Sequence, residues 1–324
     1  MQVNYYYRPH QPNNLSIENV FDRVIKNLPA SITTTSYYAK RAIDFAFLCE
    51  IRKHKADIFH VTGAAHYAAL ALPQARTVLT IHDSGHLTKT LAGIRQVTYR
   101  KLFWDWPINR IKGITTISDF TRADLFKRYN LNHKLVRTVP NPVSEDFFFQ
   151  PNARHERPVI LQVGQGANKN IECLMEAVAG LPCKLLLVRP PEPHLVARLN
   201  AMGIDAEFRH QLTTKQLVAA YHESDILFFA STFEGFGLPI IEAMACGRPV
   251  ITSRLGSMPE VAGDAAHLVD PTQPREVRDA ISAMWSSPDL YAEWVAKGLQ
   301  RTKLFAAQRI AQEYVSFYHD LIKQ

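Results

Sequence analysis

The sequence has little of what would tie it to several common protein classes. Its four cysteines, Cys49, Cys173, Cys183 and Cys246, include no CxxC pair and no Cys/His group at zinc-finger spacing. A disulfide scaffold and a structural zinc site are disfavoured, and free thiols in a reducing compartment are expected. No uninterrupted apolar run approaches the ~18–20 residues that a bilayer span needs. The opening MQVNYYYRPHQPNN lacks the apolar stretch of a signal peptide, so a cytoplasmic location is expected. Charge is sparse as well. Lys plus Arg is 37 and Asp plus Glu is 30, a net +7 over 324 residues. That is too dilute for a nucleic-acid clamp, but it suits an anionic ligand or an anionic membrane face. There is no repeat at solenoid period and no low-complexity tract. What remains, with 47% apolar and 21% charged residues, is a globular chain long enough for about two domains.

The dominant pattern is a short apolar run, a loop, then an amphipathic helix. Strands are predicted at Val3–Tyr7, Asp57–Val61, Thr77–Ile81, Ile114–Ile117 and Leu135–Val139. Helices are predicted after the N-cap Ser16, over Arg41 to His54, over Leu91 to Lys112, and over Asp119 to Tyr129 behind the N-cap Ser118. Pro140-Asn141-Pro142 and the polar stretch Gln150 to Pro158 mark a linker. The pattern then restarts, with strands predicted at Val159–Val163, Lys184–Val188, Ala206–Phe208, Asp225–Ala230 and Pro249–Ser253. Thr213 and Gln216 have capping-box spacing ahead of one of the intervening helices. Strands without clean alternation, separated by helices, indicate parallel sheets covered on both faces. The expected fold class is therefore α/β, with two doubly wound parallel-sheet domains. Ligands in such folds sit at the carboxyl ends of the strands, and here the expected place is a cleft between the domains.

The most informative stretch is Ser231-Thr232-Phe233-Glu234-Gly235-Phe236-Gly237-Leu238-Pro239-Ile240-Ile241-Glu242-Ala243-Met244-Ala245-Cys246-Gly247. Pro239 suits the first residue of a helix and Gly247 its end. Gly235-Phe236-Gly237 then lies at a helix N-terminus, where free N–H groups and the helix dipole favour an anion. Glu234 on the loop and Glu242, expected in the first helical turn, would repel a diphosphate unless they accept hydrogen bonds from hydroxyls. The plain alternative is an ordinary strand–turn–helix.

Val163-Gly164-Gln165-Gly166-Ala167-Asn168-Lys169-Asn170 is a second glycine-rich turn after a strand. Its Lys169 can neutralise a diphosphate; the alternative is a solvated loop lysine. Thr80-Ile81-His82-Asp83-Ser84-Gly85-His86 is a third candidate. His82, Asp83 and His86 are metal-ligand types, but no fourth ligand is evident, and a core histidine is the other reading. His60, Gly63 and His66 follow a strand and are expected to line the same cleft. Arg8-Pro9-His10-Gln11-Pro12-Asn13-Asn14 follows the first strand. The mixed basic and aromatic stretch Val97 to Trp106 reads as a helix with one buried and one solvated face, or as a membrane contact.

Glu234 and Glu242, with seven residues between them, resemble the E-x7-E motif of family-4 (group 1) retaining glycosyltransferases of the GT-B fold. Thr116-Ile117-Ser118, Val139-Pro140-Asn141-Pro142-Val143, Ser257-Met258-Pro259-Glu260-Val261-Ala262-Gly263 and Leu268-Val269-Asp270-Pro271 extend the resemblance, which covers about Asp57 to the C-terminus. It implies an acceptor-side domain at 1–150 and a nucleotide-sugar domain at 151–304, with a C-terminal helix at about 305–324 packing back on the first. It also implies roles. Glu234 and His82 hold the donor sugar. The Phe236, Gly237 and Leu238 amides and Lys169 meet the diphosphate, and Glu242 meets the ribose. Gly164 and Gln165 belong to the donor loop. Gln165 stands where the family usually has an arginine, and Arg189 is taken as its substitute. Asp83, Gly63, His66 and Asn14 fall on the acceptor side; Asn13-Asn14 replaces the family's glycine pair.

The resemblance implies a metal-independent enzyme without a cofactor. Its donor would be a UDP- or GDP-sugar and its acceptor a saccharide or lipid-linked saccharide of polysaccharide or lipopolysaccharide synthesis. Peripheral contact with an anionic membrane is expected and nucleic-acid binding is not. Three rivals remain open at this point: a glycoside hydrolase using both glutamates, a GT-B nucleotide-sugar epimerase, and a non-catalytic nucleotide-sugar binding protein.

Overall fold

The computed structural model describes residues 1–10, 16–83, 94–151 and 154–324. These form two compact units, Met1–Pro142 with Ala307–Gln324, and Val143–Ala306. The crossing falls at Val143 rather than after residue 150, because residues 143–150 are pinned within the second unit. Val143 N–H donates to Phe305 O at 2.9 Å, Phe147 packs edge-on against Tyr221, and His222 bonds Phe148 O.

In the first unit six parallel strands take the order β2-β1-β3-β4-β5-β6. They are β1 (Gln2–Tyr7), β2 (Thr33–Tyr38), β3 (Ile58–Val61), β4 (Thr77–Ile81), β5 (Gly113–Thr116) and β6 (Leu135–Thr138). Three successive tyrosines in β1 are all buried because both faces of the sheet are covered. Tyr5 and Tyr7 meet Phe21 of the helix Ser16–Lys26, while Tyr6 turns to Phe47 and Phe59 on the other face. The C-terminal helix Ala307–Lys323 belongs to this unit and brings Tyr314 and Tyr318 over His60.

Several predicted elements differ from those observed. Strand β2 escapes the sequence reading because it is an edge strand of polar residues, TTTSYY, largely exposed. The helix predicted over Arg41 to His54 runs only Phe45–Ile51. Asp44 caps it, its two carboxylate oxygens accepting from Phe47 N–H at 3.0 Å and Lys40 N–H at 2.9 Å. The helix predicted over Leu91 to Lys112 is broken into Ile94–Arg100, a wide turn Lys101–Asp105 and Trp106–Arg110. Pro107 has no N–H to give Phe103 O, and the ladder widens there.

In the second unit the order is β12-β11-β10-β7-β8-β9, again all parallel. The strands are β7 (Val159–Val163), β8 (Lys184–Val188), β9 (Asp205–Arg209), β10 (Ile226–Phe229), β11 (Val250–Ser253) and the short β12 (His267–Val269). Leu174, Leu185, Leu187, Phe228 and Ile281 are among the residues of its core. The capping box expected at Thr213 and Gln216 is present in both halves, opening the helix Thr214–His222. The chain runs outward from β7 in both directions, so the loops after β7 and β10 leave the sheet side by side. This is the switch point at which doubly wound sheets bind ligands.

Candidate active site

The loop after β7 turns sharply. Gly164 (φ +102°) and Gly166 (φ +106°) take left-handed geometry, a single helical turn follows at Ala167–Lys169, and Asn170 is left-handed as well. Asn170 is held by its side-chain amide, which donates to Ala230 O at 3.0 Å and Pro271 O at 2.6 Å. The turn folds Lys169 back over Gly164. A Cβ on Gly164 would lie 2.8 Å from Lys169 Cε, so a larger residue would push the lysine aside.

Lys169 Nζ reaches Glu234 Oε1 at 2.6 Å, and both side chains are only 16% exposed. The ammonium also lies 4.5 Å from the centroid of the Phe229 ring. Asn168 joins the two loops. Its side-chain amide donates to Glu234 Oε1 and to Phe233 O, each at 3.2 Å, while its backbone carbonyl accepts from Thr232 N–H at 2.9 Å.

Beyond Glu234 the chain enters the helix Leu238–Ala245. Its N-cap is Gly237 (φ +105°), and among the described residues no side chain caps its first N–H groups. Pro239 is its second residue, not its first, and Gly247 follows the C-cap Cys246. Phe236 is buried against Phe305, so its backbone is what it offers a ligand. Ser257, fully buried, tethers this turn: its hydroxyl lies 3.0 Å from both Glu234 O and Phe236 O. Neither this role of Ser257 nor that of Asn168 is visible in the sequence. Both act by contacts between loops far apart in sequence.

Glu242 corrects an expectation. It is the fifth helical residue, not one of the first turn, and is 8% exposed. Its Oε2 accepts from Tyr221 OH at 2.9 Å. Burial and the neighbouring carboxylate push the Tyr221 hydroxyl well above its ordinary value, so Tyr221 stays a donor.

Gln165 is exposed on the turn. Arg189 follows β8 beside Gly164, whose N–H donates to Val188 O at 3.1 Å. Arg189 is 6% exposed, and one of its terminal nitrogens meets Glu192 at 2.6 Å. Among the described residues its Nε and other terminal nitrogen have no hydrogen-bond partner, an arrangement suited to an anion.

The remaining candidates lie in the first unit. His82 Nε2 is 2.7 Å from Thr62 O, and burial lowers its pKa. The neutral ring thus donates from Nε2 and keeps Nδ1 as an acceptor. Gly63 (φ +119°) lies directly under it, where a Cβ would come within 2.5 Å of His82 Cδ2. Asp83 follows His82 at the end of the described segment.

His66, expected in the cleft, is buried. Its Nδ1 lies 2.6 Å from Phe103 O, the carbonyl that Pro107 leaves free in the broken helix. His60 is a core residue: its ring nitrogens meet Tyr318 OH at 2.6 Å and Thr80 Oγ1 at 2.7 Å, beneath the C-terminal helix. Asn14 and His86 lie outside the described residues. Among the described residues no group of three or more His, Cys, Asp and Glu is arranged to hold a metal, and no helix is long and apolar enough to cross a membrane.

Two glycine-rich turns thus lie at the switch point of a doubly wound sheet, one carrying a lysine and the other a glutamate before a helix start, as in α/β folds that bind anionic ligands. Residues 143–301 match the family model of glycosyl transferases group 1, and residues 6–147 match that of glycosyltransferase family 4. The chain is thus a glycosyltransferase of the GT-B fold, an enzyme that moves a sugar from an activated donor to an acceptor. The O-antigen chain mannosyltransferase B of Escherichia coli is 28% identical over 83% of this chain and 75% of that protein. The MMP alpha-(1->4)-mannosyltransferase of Mycolicibacterium hassiacum is 28% identical over 66% of this chain, which spans 55% of that protein's length. Among solved structures, HepE of Anabaena in complex with UDP superimposes with a TM-score of 0.81 at 13% identity, covering 99% of this chain and all of that one.

Proposed function

We propose that this enzyme moves a hexose from a nucleoside-diphosphate donor, a UDP- or GDP-sugar, to a hydroxyl of a saccharide or lipid-linked acceptor with retention of configuration. The observation that carries the reading is the convergence of Lys169, Glu234 and the uncapped helix start at the ends of β7 and β10. The Phe236–Leu238 amides and Lys169 take the diphosphate, Arg189 offers its two unpartnered nitrogens to it, and Glu242 takes the ribose. Glu234 accepts hydrogen bonds from the sugar. The resemblance alone assigns His82 to a sugar and Asp83 and Gly63 to the acceptor.

In the reaction the anomeric carbon–oxygen bond to the phosphate breaks and a bond to the acceptor oxygen forms on the same face. The acceptor proton passes to the leaving phosphate. Lys169 and the helix amides stabilise the charge that develops there, so the reaction is assigned no metal and no cofactor. The mannosyltransferase relatives make mannose the first sugar to test.

Acceptor-dependent release of nucleoside diphosphate, with sugar appearing on the acceptor, is the expected outcome. Release without an acceptor, or none with any donor, would refute the reading. Retention is read from the anomeric coupling in the product.

We also assign the enzyme to the cytoplasmic face of an anionic membrane. Val97 and Trp106 are 54% and 55% exposed beside the exposed Arg100 and Lys101. Co-sedimentation with anionic vesicles at low salt, lost at high salt, is expected; equal recovery with neutral vesicles would count against it.

A further inference from the structure

The ion pair between Lys169 and Glu234 has both partners doing something other than what turnover requires of them. Without ligand, Glu234 cancels the charge that Lys169 would offer a diphosphate. Glu234 is in turn fixed in place, since Asn168 holds the same carboxylate oxygen and also Phe233 O. Ser257 holds the Glu234 carbonyl. These contacts oppose a swing of the carboxylate when an anion arrives. A bare nucleoside diphosphate must draw Lys169 off a fixed carboxylate, and leaves that carboxylate facing further negative charge. A nucleotide sugar brings hydroxyls that donate to Glu234 as Lys169 turns to the phosphates.

We propose that Lys169 and Glu234 exchange partners in each cycle, and that their re-pairing after the sugar has gone weakens the hold on nucleoside diphosphate and so promotes product release. Glu234 is on this view a discriminator between donor and spent nucleotide as well as a ligand of the sugar. The inference rests on the assignment of Lys169 to the diphosphate.

Titration calorimetry with UDP and GDP tests it. Glu234→Gln removes the charge and keeps the shape. It is expected to bind the preferred diphosphate about tenfold more tightly than the unaltered protein, because a partly buried cation is freed for the ligand. Lys169→Met should bind it more weakly, and adding Glu234→Gln to Lys169→Met should restore little. Unchanged or weaker binding by Glu234→Gln, together with a loss in Lys169→Met, overturns the exchange but leaves the diphosphate assignment standing. Unchanged binding by Lys169→Met overturns both. If Glu234→Gln does not fold, Glu234→Asp draws the carboxylate back out of 2.6 Å reach of the ammonium and carries the same expectation.

Discussion

Ser257→Ala is the sharpest test of how the donor loop is built. The hydroxyl is fully buried and is shared between the carbonyls of Glu234 and Phe236, at 3.0 Å each. Alanine fits the same space, so the change removes hydrogen bonds and little packing. One proton serves two acceptors, and a buried acceptor left without its donor costs ~1–3 kcal/mol; a net loss of about 1–2 kcal/mol is expected. For a domain of this size that corresponds to a fall in melting temperature of roughly 3–6 °C. The second consequence is local. With the 234–236 backbone untethered, the helix amides and the Glu234 carboxylate lose their fixed spacing. The stabilisation that UDP or GDP confers in a thermal melt should shrink by more than the loss of intrinsic stability explains. Melts with and without the nucleotide separate the two effects. A variant with unchanged melting temperature and unchanged nucleotide stabilisation would refute the claim that Ser257 sets this loop.

Glu234→Ala should abolish transfer while the far-ultraviolet circular dichroism stays that of the folded chain; unchanged turnover would remove Glu234 from the site. Gly164→Ala places a Cβ 2.8 Å from Lys169 Cε at φ +102°, and should destabilise the chain by about 1–3 kcal/mol while weakening nucleoside-diphosphate binding in calorimetry. Chelation by EDTA should leave transfer intact; a loss restored by zinc or magnesium would count against the assignment of the leaving-group charge to Lys169.

A pH dependence follows from His60, which burial holds at about 3 against 6.5 in the open chain. Below 6.5 the unfolded chain takes up a proton that the folded chain refuses, so stability falls as pH drops towards 3 and is flat above. Urea titrations between pH 7 and 5 should show this slope, up to ~1.4 kcal/mol per pH unit for one site, diminished in His60→Asn.

Much of the fold is legible in order along the chain. Apolar runs such as Lys184–Val188 and Thr77–Ile81 announce strands because parallel strands are buried on both faces, and Ser118 and Thr213 announce helix starts because their oxygens satisfy free N–H groups. Strand β2 is not legible, since an edge strand carries no such run. The break at Pro107 is half-legible: the missing N–H is local, but the histidine that takes up the freed carbonyl is 37 positions away.

The same division holds at the site. The residues on the two turns could be read because glycine at positive φ, a lysine and a helix start are local signals. Local signals along the chain are enough for the strand–turn–helix units and for the glutamates that flank them. It takes the folded chain to show that Lys169 and Glu234 meet, that Asn168 and Ser257 hold their loops, that Glu242 is a buried partner of Tyr221, and that His60 and His66 are packing residues. The physical reason is range. Backbone geometry and helix capping act within a few residues. Ion pairs and buried hydrogen bonds depend on which loops the strand order makes neighbours.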